Sequence, residues 1–135
     1  MSLLDVALTK ILGRKPRFLR PPFGDWNDGV LAVLGAANIS HVAMWDADSG
    51  DAGGATLAQE QAVYNGLNIV DGHVTLNHDT VKATAQALVP WVITWAQARR
   101  LKMVTMGECA GLPPAAWYYD VVKPESRNPS WKCGR

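Results

Sequence analysis

Residues 41–51, HVAMWDADSGD, run a short apolar stretch directly into three carboxylates and a glycine. An apolar run of this length, bounded by turn residues, reads as a buried strand. Asp46, Asp48 and Asp51 then fall just past its C-terminal end. In parallel α/β folds the crossover helices cover the faces of the sheet, so binding and catalytic groups collect at that edge.

Three more runs read as strands, at residues 17–20, 73–77 and 103–106. Helical periodicity fills the intervals. Residues 25–38 carry Val30, Val33 and Leu34, and residues 56–67 carry Leu57, Ala58, Ala62 and Val63. Residues 80–101 place Val81, Ala85, Leu88, Val92 and Trp95 at helical spacing, and Pro90 is expected to kink or divide that helix. The opening MSLLDVALTKILGRK reads as a short amphipathic helix with Leu4, Leu8 and Ile11 on one face. Strands alternating with helices predict βα units and an α/β fold with parallel strands. The proline-rich tail from Gly107 is expected to wrap the body irregularly.

The totals set the limits. At 135 residues the chain is expected to form one domain, 1–135, with a real core. A net charge of +1 gives no field for capturing nucleic acid or an anionic membrane. No apolar run reaches membrane-spanning length, and the N-terminal segment has Asp5 where a signal peptide needs an unbroken apolar stretch. Cys109 and Cys133 permit one disulfide without requiring it, and their neighbours lack metal-ligand spacing. Six tryptophans suit either a core or a surface that stacks on sugar rings. Asn38-Ile39-Ser40 is a glycosylation sequon.

Three short motifs carry candidate chemistry. In RPPFG, residues 20–24, two prolines freeze the backbone behind Arg20. This is either a rigid turn with an ordinary surface arginine, or a device that aims Arg20 and offers amides near Phe23 and Gly24 to an oxyanion. WDADSGD, residues 45–51, reads as a solvated loop of Asx turns, as a functional loop, or as a cation loop that lacks EF-hand spacing. TLNHDT, residues 75–80, ends a strand in His78 and Asp79. A histidine beside a carboxylate is suited to general acid work, although a strand-end histidine is more often structural. His73 lies two residues before Thr75, and nothing in the sequence completes a metal set around it.

In this order, RPPFG, WDADSGD and TLNHD resemble the third, fourth and fifth motifs of the polysaccharide deacetylase (NodB-homology) family, carbohydrate esterase family four. The surrounding GRKPRFLRPPFG and the tail VTMGECAG, WYYD and PSWKC are similar to fungal chitin deacetylases. The resemblance implies the C-terminal part of a distorted (β/α) barrel. It implies removal of N-acetyl groups from chitin-like polymers with zinc or another divalent metal, and an extracellular setting. By motif, Arg20 matches the arginine that orients an aspartate base, and Phe23, with Gly24 beside it, matches the oxyanion-binding turn. Asp51 matches the partner of the catalytic histidine, His78 matches that histidine, and Leu76 and Trp45 match the walls of the substrate site. Ala52 departs from the family, which usually has an aromatic there.

No stretch of this sequence resembles the family's first two motifs, which supply the base and the metal ligands. The resemblance therefore implies no metal held by this chain's own residues, beyond a weak and disfavoured set at Asp71, His73 and His78. It also implies little hydrolase activity from the chain alone. The alternatives are a chitin deacetylase that is active or completed by another chain, and a secreted carbohydrate-binding or signalling protein on the same scaffold. Chitin or N-acetylglucosamine oligomers are the expected ligands, and a partial barrel with open edges is expected to form a homo-oligomer. Cys133 is expected either to remain free, its family partner lying in the unmatched half, or to join Cys109.

Overall fold

A computed structural model describes residues 2–120 and 122–127. In chain order the first half holds α1 (Ser2–Leu12), β1 (Arg14–Pro16), β2 (Phe18–Leu19), α2 (Asp28–Ala36), β3 (His41–Val42) and β4 (Ala47–Asp48). The second half holds α3 (Leu57–Asn65), β5 (Thr75–Leu76), α4 (Val89–Ala98), α5 (Met106–Cys109) and β6 (Tyr118–Asp120). They divide into two compact units, residues 44–105 and the remainder.

In the unit that holds both chain ends, β2 and β3 pair in parallel, Phe18 opposite His41 and Leu19 opposite Val42. The connection between them is α2, so this is the βα unit read from the sequence. Asn27 caps α2 by accepting from the Val30 amide at 3.0 Å. The helix ends as Asn38 turns left-handed at φ 61°, a conformation that asparagine tolerates better than most residues. The tail is more regular than expected. β6 pairs antiparallel with β1, and Arg17 lies 3.7 Å from the Tyr119 ring centroid. Trp117 packs over Gly107, where a Cβ would overlap the indole, and donates to the Leu112 carbonyl at 2.9 Å.

Residues 44–105 contain the second parallel pair, with Ala47 opposite Thr75 and Asp48 opposite Leu76. The apolar run at residues 41–45 is not one strand. His41–Val42 pairs with β2, and the chain then begins a new strand, β4, two residues past Trp45. Residues 103–106, read as a strand, join none of the strand pairs among the described residues, and Met106 begins α5 instead.

The core of this unit is Tyr64, Leu88, Trp95 and Ala96, flanked by Leu67, Trp91, Val92 and Leu101. Tyr64 meets Trp91 and Trp95 edge-on, with centroids 6.1 and 5.7 Å away, and the two tryptophans stack at 6.2 Å. These two tryptophans are therefore core rather than sugar platforms. Helix α3 turns a different face inward than its apolar residues suggest. It buries Glu60 and Tyr64, one turn apart, and leaves Leu57 exposed.

Pro90 shapes the long helix without breaking it. A π-helical turn, Thr84–Leu88, precedes α4, and the Val89 amide donates to the Thr84 carbonyl. Widening the turn relieves the clash between the proline ring and the preceding carbonyls. On its inward face Thr84 is fully buried with Leu88, whereas Ala85, expected there, is exposed.

Candidate functional site

The parallel register of β4 and β5 decides which polar groups meet. Adjacent strands running the same way end at the same edge. Asp51, three residues past β4, therefore reaches His78, two residues past β5. Gly50 and Gly54, both left-handed, bracket the tight turn that carries Asp51 inward.

Asp51 is 5% exposed, yet each carboxylate oxygen receives two donors. Oδ1 accepts from the Ala52 amide and from His78 Nδ1, both at 2.8 Å. Oδ2 accepts from the His78 amide at 2.6 Å and from the Thr84 hydroxyl at 2.7 Å. Burial alone would raise the carboxyl pKa. The hydrogen bonds from the His78 ring and amide, from Thr84 and from Ala52 outweigh it and lower the pKa from 3.8 to about 2. An ionised carboxylate only accepts, so His78 Nδ1 must carry a proton and Nε2 is left at the open edge. The His78 side chain is 40% exposed, so that edge is accessible.

Leu76 lies in β5 itself, half-buried, two residues before His78. Trp45 is half-buried in the segment before β4. Ala52 is exposed beside the pair.

Within the other unit, Arg20 follows β2 and donates from Nε to the Ala43 carbonyl at 3.2 Å. The RPPFG segment forms a tight turn in which the Gly24 amide donates to Pro21 and the Asp25 amide to Pro22. Phe23 is held at φ 59°, where a residue with a Cβ is strained, and its ring is wholly exposed. Strain of this kind, locked by neighbouring prolines, fits a segment shaped for something other than stability. An apolar cleft of about 590 Å³ lies beside this turn, lined by Leu19, Pro22, Val30, Val33 and Leu34 among others.

The remaining acidic residues resolve into structural roles. Asp48 accepts from the Gly50 amide at 2.8 Å, an Asx turn. Asp46 accepts from the Val74 amide at 2.7 Å and from His73 Nδ1 at 2.6 Å, while His73 Nε2 faces the Asn68 carbonyl at 2.9 Å. Both ring nitrogens of His73 thus face acceptors, which holds the ring doubly protonated. Its pKa is raised, first by the Asp46 hydrogen bond and then by the Asn68 carbonyl. The Asp46 carboxyl is lowered, chiefly by the same bond to His73.

A doubly protonated imidazole has no lone pair for a metal, and Asp71 is engaged by Asn68 at 2.7 Å. Among the described residues no three His, Cys, Asp or Glu side chains cluster to hold a metal ion. The zinc implied by the family resemblance does not fit these residues, and no chemical step is derived through it. Cys109 is exposed, and Cys133 lies outside the described residues.

Sequence reading paired Asp51 with His78 by motif but missed Thr84 and the Asp46–His73 pair. The signal for Thr84 was a polar residue between Val81 and Leu88 on the apolar side of a helix. Its spacing from Val81 and Leu88 fits the buried face of a regular helix, and only its polar side chain kept it out of the apolar pattern.

No family model matches the chain. A chitin deacetylase from Pestalotiopsis sp. is 36% identical over 124 residues, which span 87% of this chain and 40% of the relative. The solved chitin deacetylase of Colletotrichum lindemuthianum superposes with a TM-score of 0.77 at 23% identity, over 91% of this chain and 57% of that one. A family 4 carbohydrate esterase from Streptomyces lividans, solved with acetate, gives a TM-score of 0.59 at 24% identity, over 82% and 51%. The chain thus spans roughly half or less of the proteins it matches. Its fold is part of a distorted (β/α) barrel with parallel strand pairs, and no closed barrel forms among the described residues. In sequence the chain is a homologue of fungal chitin deacetylases, and in fold it is similar to carbohydrate esterase family four, the polysaccharide deacetylase (NodB-homology) family that its motifs resemble.

Proposed function

We propose that this chain is a chitin deacetylase-like portion that carries the acid half of N-acetyl hydrolysis and has little or no hydrolase activity alone. One observation carries the reading. Buried, ionised Asp51 holds His78 by Nδ1–H and leaves Nε2 at an accessible edge. In amide hydrolysis the departing amine must gain a proton as the C–N bond breaks. An imidazolium at His78 gives its Nε2 proton to that nitrogen and relaxes to the Nδ1–H tautomer, which Asp51 still holds. The buried carboxylate accepts from Nδ1–H in both states and so fixes the ring throughout.

By family resemblance, Arg20 orients an aspartate base, Phe23 and Gly24 frame the oxyanion, and Leu76 and Trp45 border the acetyl group. The base and metal ligands have no counterpart among the described residues, which supports the inactive reading. Chitin or N-acetylglucosamine oligomers are the proposed ligands, in an extracellular setting. No helix of the described residues is long and apolar enough to cross a membrane.

Acetate release from chitin oligomers by the purified chain, with and without added zinc, tests this. The expected result is release no faster than from the His78→Ala variant. Stoichiometric zinc with clear His78-dependent turnover would refute it. We propose further that the chain, as one domain, self-associates, since the parallel sheets among the described residues are two-stranded and Val33 is exposed beside the apolar cleft. Sedimentation should show a dimer or larger species, and a strict monomer across concentrations refutes that part.

A further inference from the structure

We propose that Thr84 is a positioning residue for His78, acting through Asp51 to fix which imidazole nitrogen holds the proton. This rests on the reading of Asp51 and His78 as an acid pair, and goes beyond it by assigning a role to a residue in neither motif. Thr84 is fully buried and opens the π-helical turn Thr84–Leu88. A helical threonine ordinarily turns its hydroxyl back to a carbonyl of its own preceding turn. Here the hydroxyl reaches 33 residues away in sequence, to Asp51 Oδ2 at 2.7 Å. Because Asp51 is ionised and can only accept, Thr84 is the donor and the direction of the bond is fixed.

The consequence is geometric. Two donors on Oδ2, the His78 amide and the Thr84 hydroxyl, pin one end of the carboxylate. The other oxygen then stays between the Ala52 amide and the His78 ring. Without Thr84 the carboxylate keeps a single donor on Oδ2 and can rotate about its Cβ–Cγ bond. His78 would lose the constraint that keeps its proton on Nδ1. Thr84 stands four residues before the fully buried Leu88, on the same inward face, while Ala85 beside it is exposed.

The test is a side-chain NMR titration of the full chain, following the Asp51 carboxyl carbon and the His78 ring nitrogens. In Thr84→Val, nearly isosteric and lacking the donor, Asp51 should become about tenfold weaker as an acid. A fraction of Nε2–H tautomer should appear at His78 at neutral pH, and Thr84→Ser should restore both readouts. A folded Thr84→Val with wild-type values for both overturns the proposal. If that variant does not fold, the unmutated chain supplies the measurement: deuterating the Thr84 hydroxyl should shift the Asp51 carboxyl-carbon resonance, and its absence overturns the proposal. Asp51→Asn separates the two readings. If it changes the His78 tautomer and Thr84→Val does not, the pair stands and Thr84 is only packing. If it leaves the tautomer unchanged, the acid pair itself fails.

Discussion

Replacing Asp51 with Asn is nearly isosteric, yet it should be among the most destabilising single-atom changes in this chain. The four donors around the carboxylate are the Ala52 amide, the His78 ring and amide, and the Thr84 hydroxyl. Asparagine offers one oxygen and one NH₂ group. With NH₂ in the Oδ2 position it opposes the His78 amide, and in the Oδ1 position it opposes the Ala52 amide. The Thr84 hydroxyl can rotate and His78 can change tautomer, but a backbone N–H cannot reverse its role. One buried donor therefore stays unsatisfied in either orientation, at a cost of about 1–3 kcal/mol, and the charge-assisted bonds are lost besides.

The acid dependence supplies an independent magnitude. A carboxyl that titrates at about 2 in the folded chain, against 3.8 unperturbed, contributes about 2 kcal/mol to stability when ionised. The folded pKa is the depressed one, so this contribution is complete above pH 3.8 and is lost as pH falls through 2. Urea unfolding at neutral pH should place Asp51→Asn about 3 kcal/mol below the parent. Across the acid window the parent should lose stability that the variant does not have. A variant within about 0.5 kcal/mol of the parent, the scatter of an ordinary surface change, would refute the reasoning. So would parallel acid profiles.

Two other outcomes follow from the same geometry. Nitrogen-15 NMR titration should find the second His73 ring proton leaving above pH 6.5, and Asp46→Asn should lower the pH at which it leaves. Because the folded pKa of His73 is raised and that of Asp46 lowered, the pair's stabilisation is full between pH 3.8 and 6.5. It disappears as pH rises through the higher His73 value, and is lost again at low pH as Asp46 takes its proton; a His73 pKa at or below 6.5 would contradict it. Leu88→Ala, at a position with no exposed surface against Tyr64 and Trp95, should cost about 2–5 kcal/mol in urea unfolding. A smaller loss would mean that the tryptophan cluster collapses into the space.

Much of the local structure was legible because it depends on neighbouring residues. The apolar periodicity gave α1 and α2, although α2 starts only at Asp28, after the Asn27 cap, rather than at residue 25. The helix within residues 56–67 was legible for a local reason too, since Thr56 and Gln59 form a capping box. Its buried face was not, because Glu60 and Tyr64 are chosen by what lies across from them, the π-helical turn and the Thr75–Asn77 segment. The strand read at residues 103–106 failed for the complementary reason: an apolar run becomes a strand only if a partner edge accepts it.

The candidate site divides along the same line. By itself the sequence determined which residue types stand after which strand: Asp51 after one, His78 after another, Arg20 ahead of two prolines. Those facts are local, and they were sufficient to carry the family resemblance. The resemblance named Asp51 and His78 as partners, but tertiary structure alone forms the contact and adds the residues around it. The parallel register of β4 and β5 brings Asp51 to His78, and packing against α3 brings the Thr84 hydroxyl to Asp51. It also turned His73 toward Asp46 and Asn68, closing both of its nitrogens to a metal. The physical reason is that a hydrogen bond depends on position to within a few tenths of an ångström. Spacing along the chain fixes such positions only within a turn or a helix, whereas across strands they are fixed by register and packing.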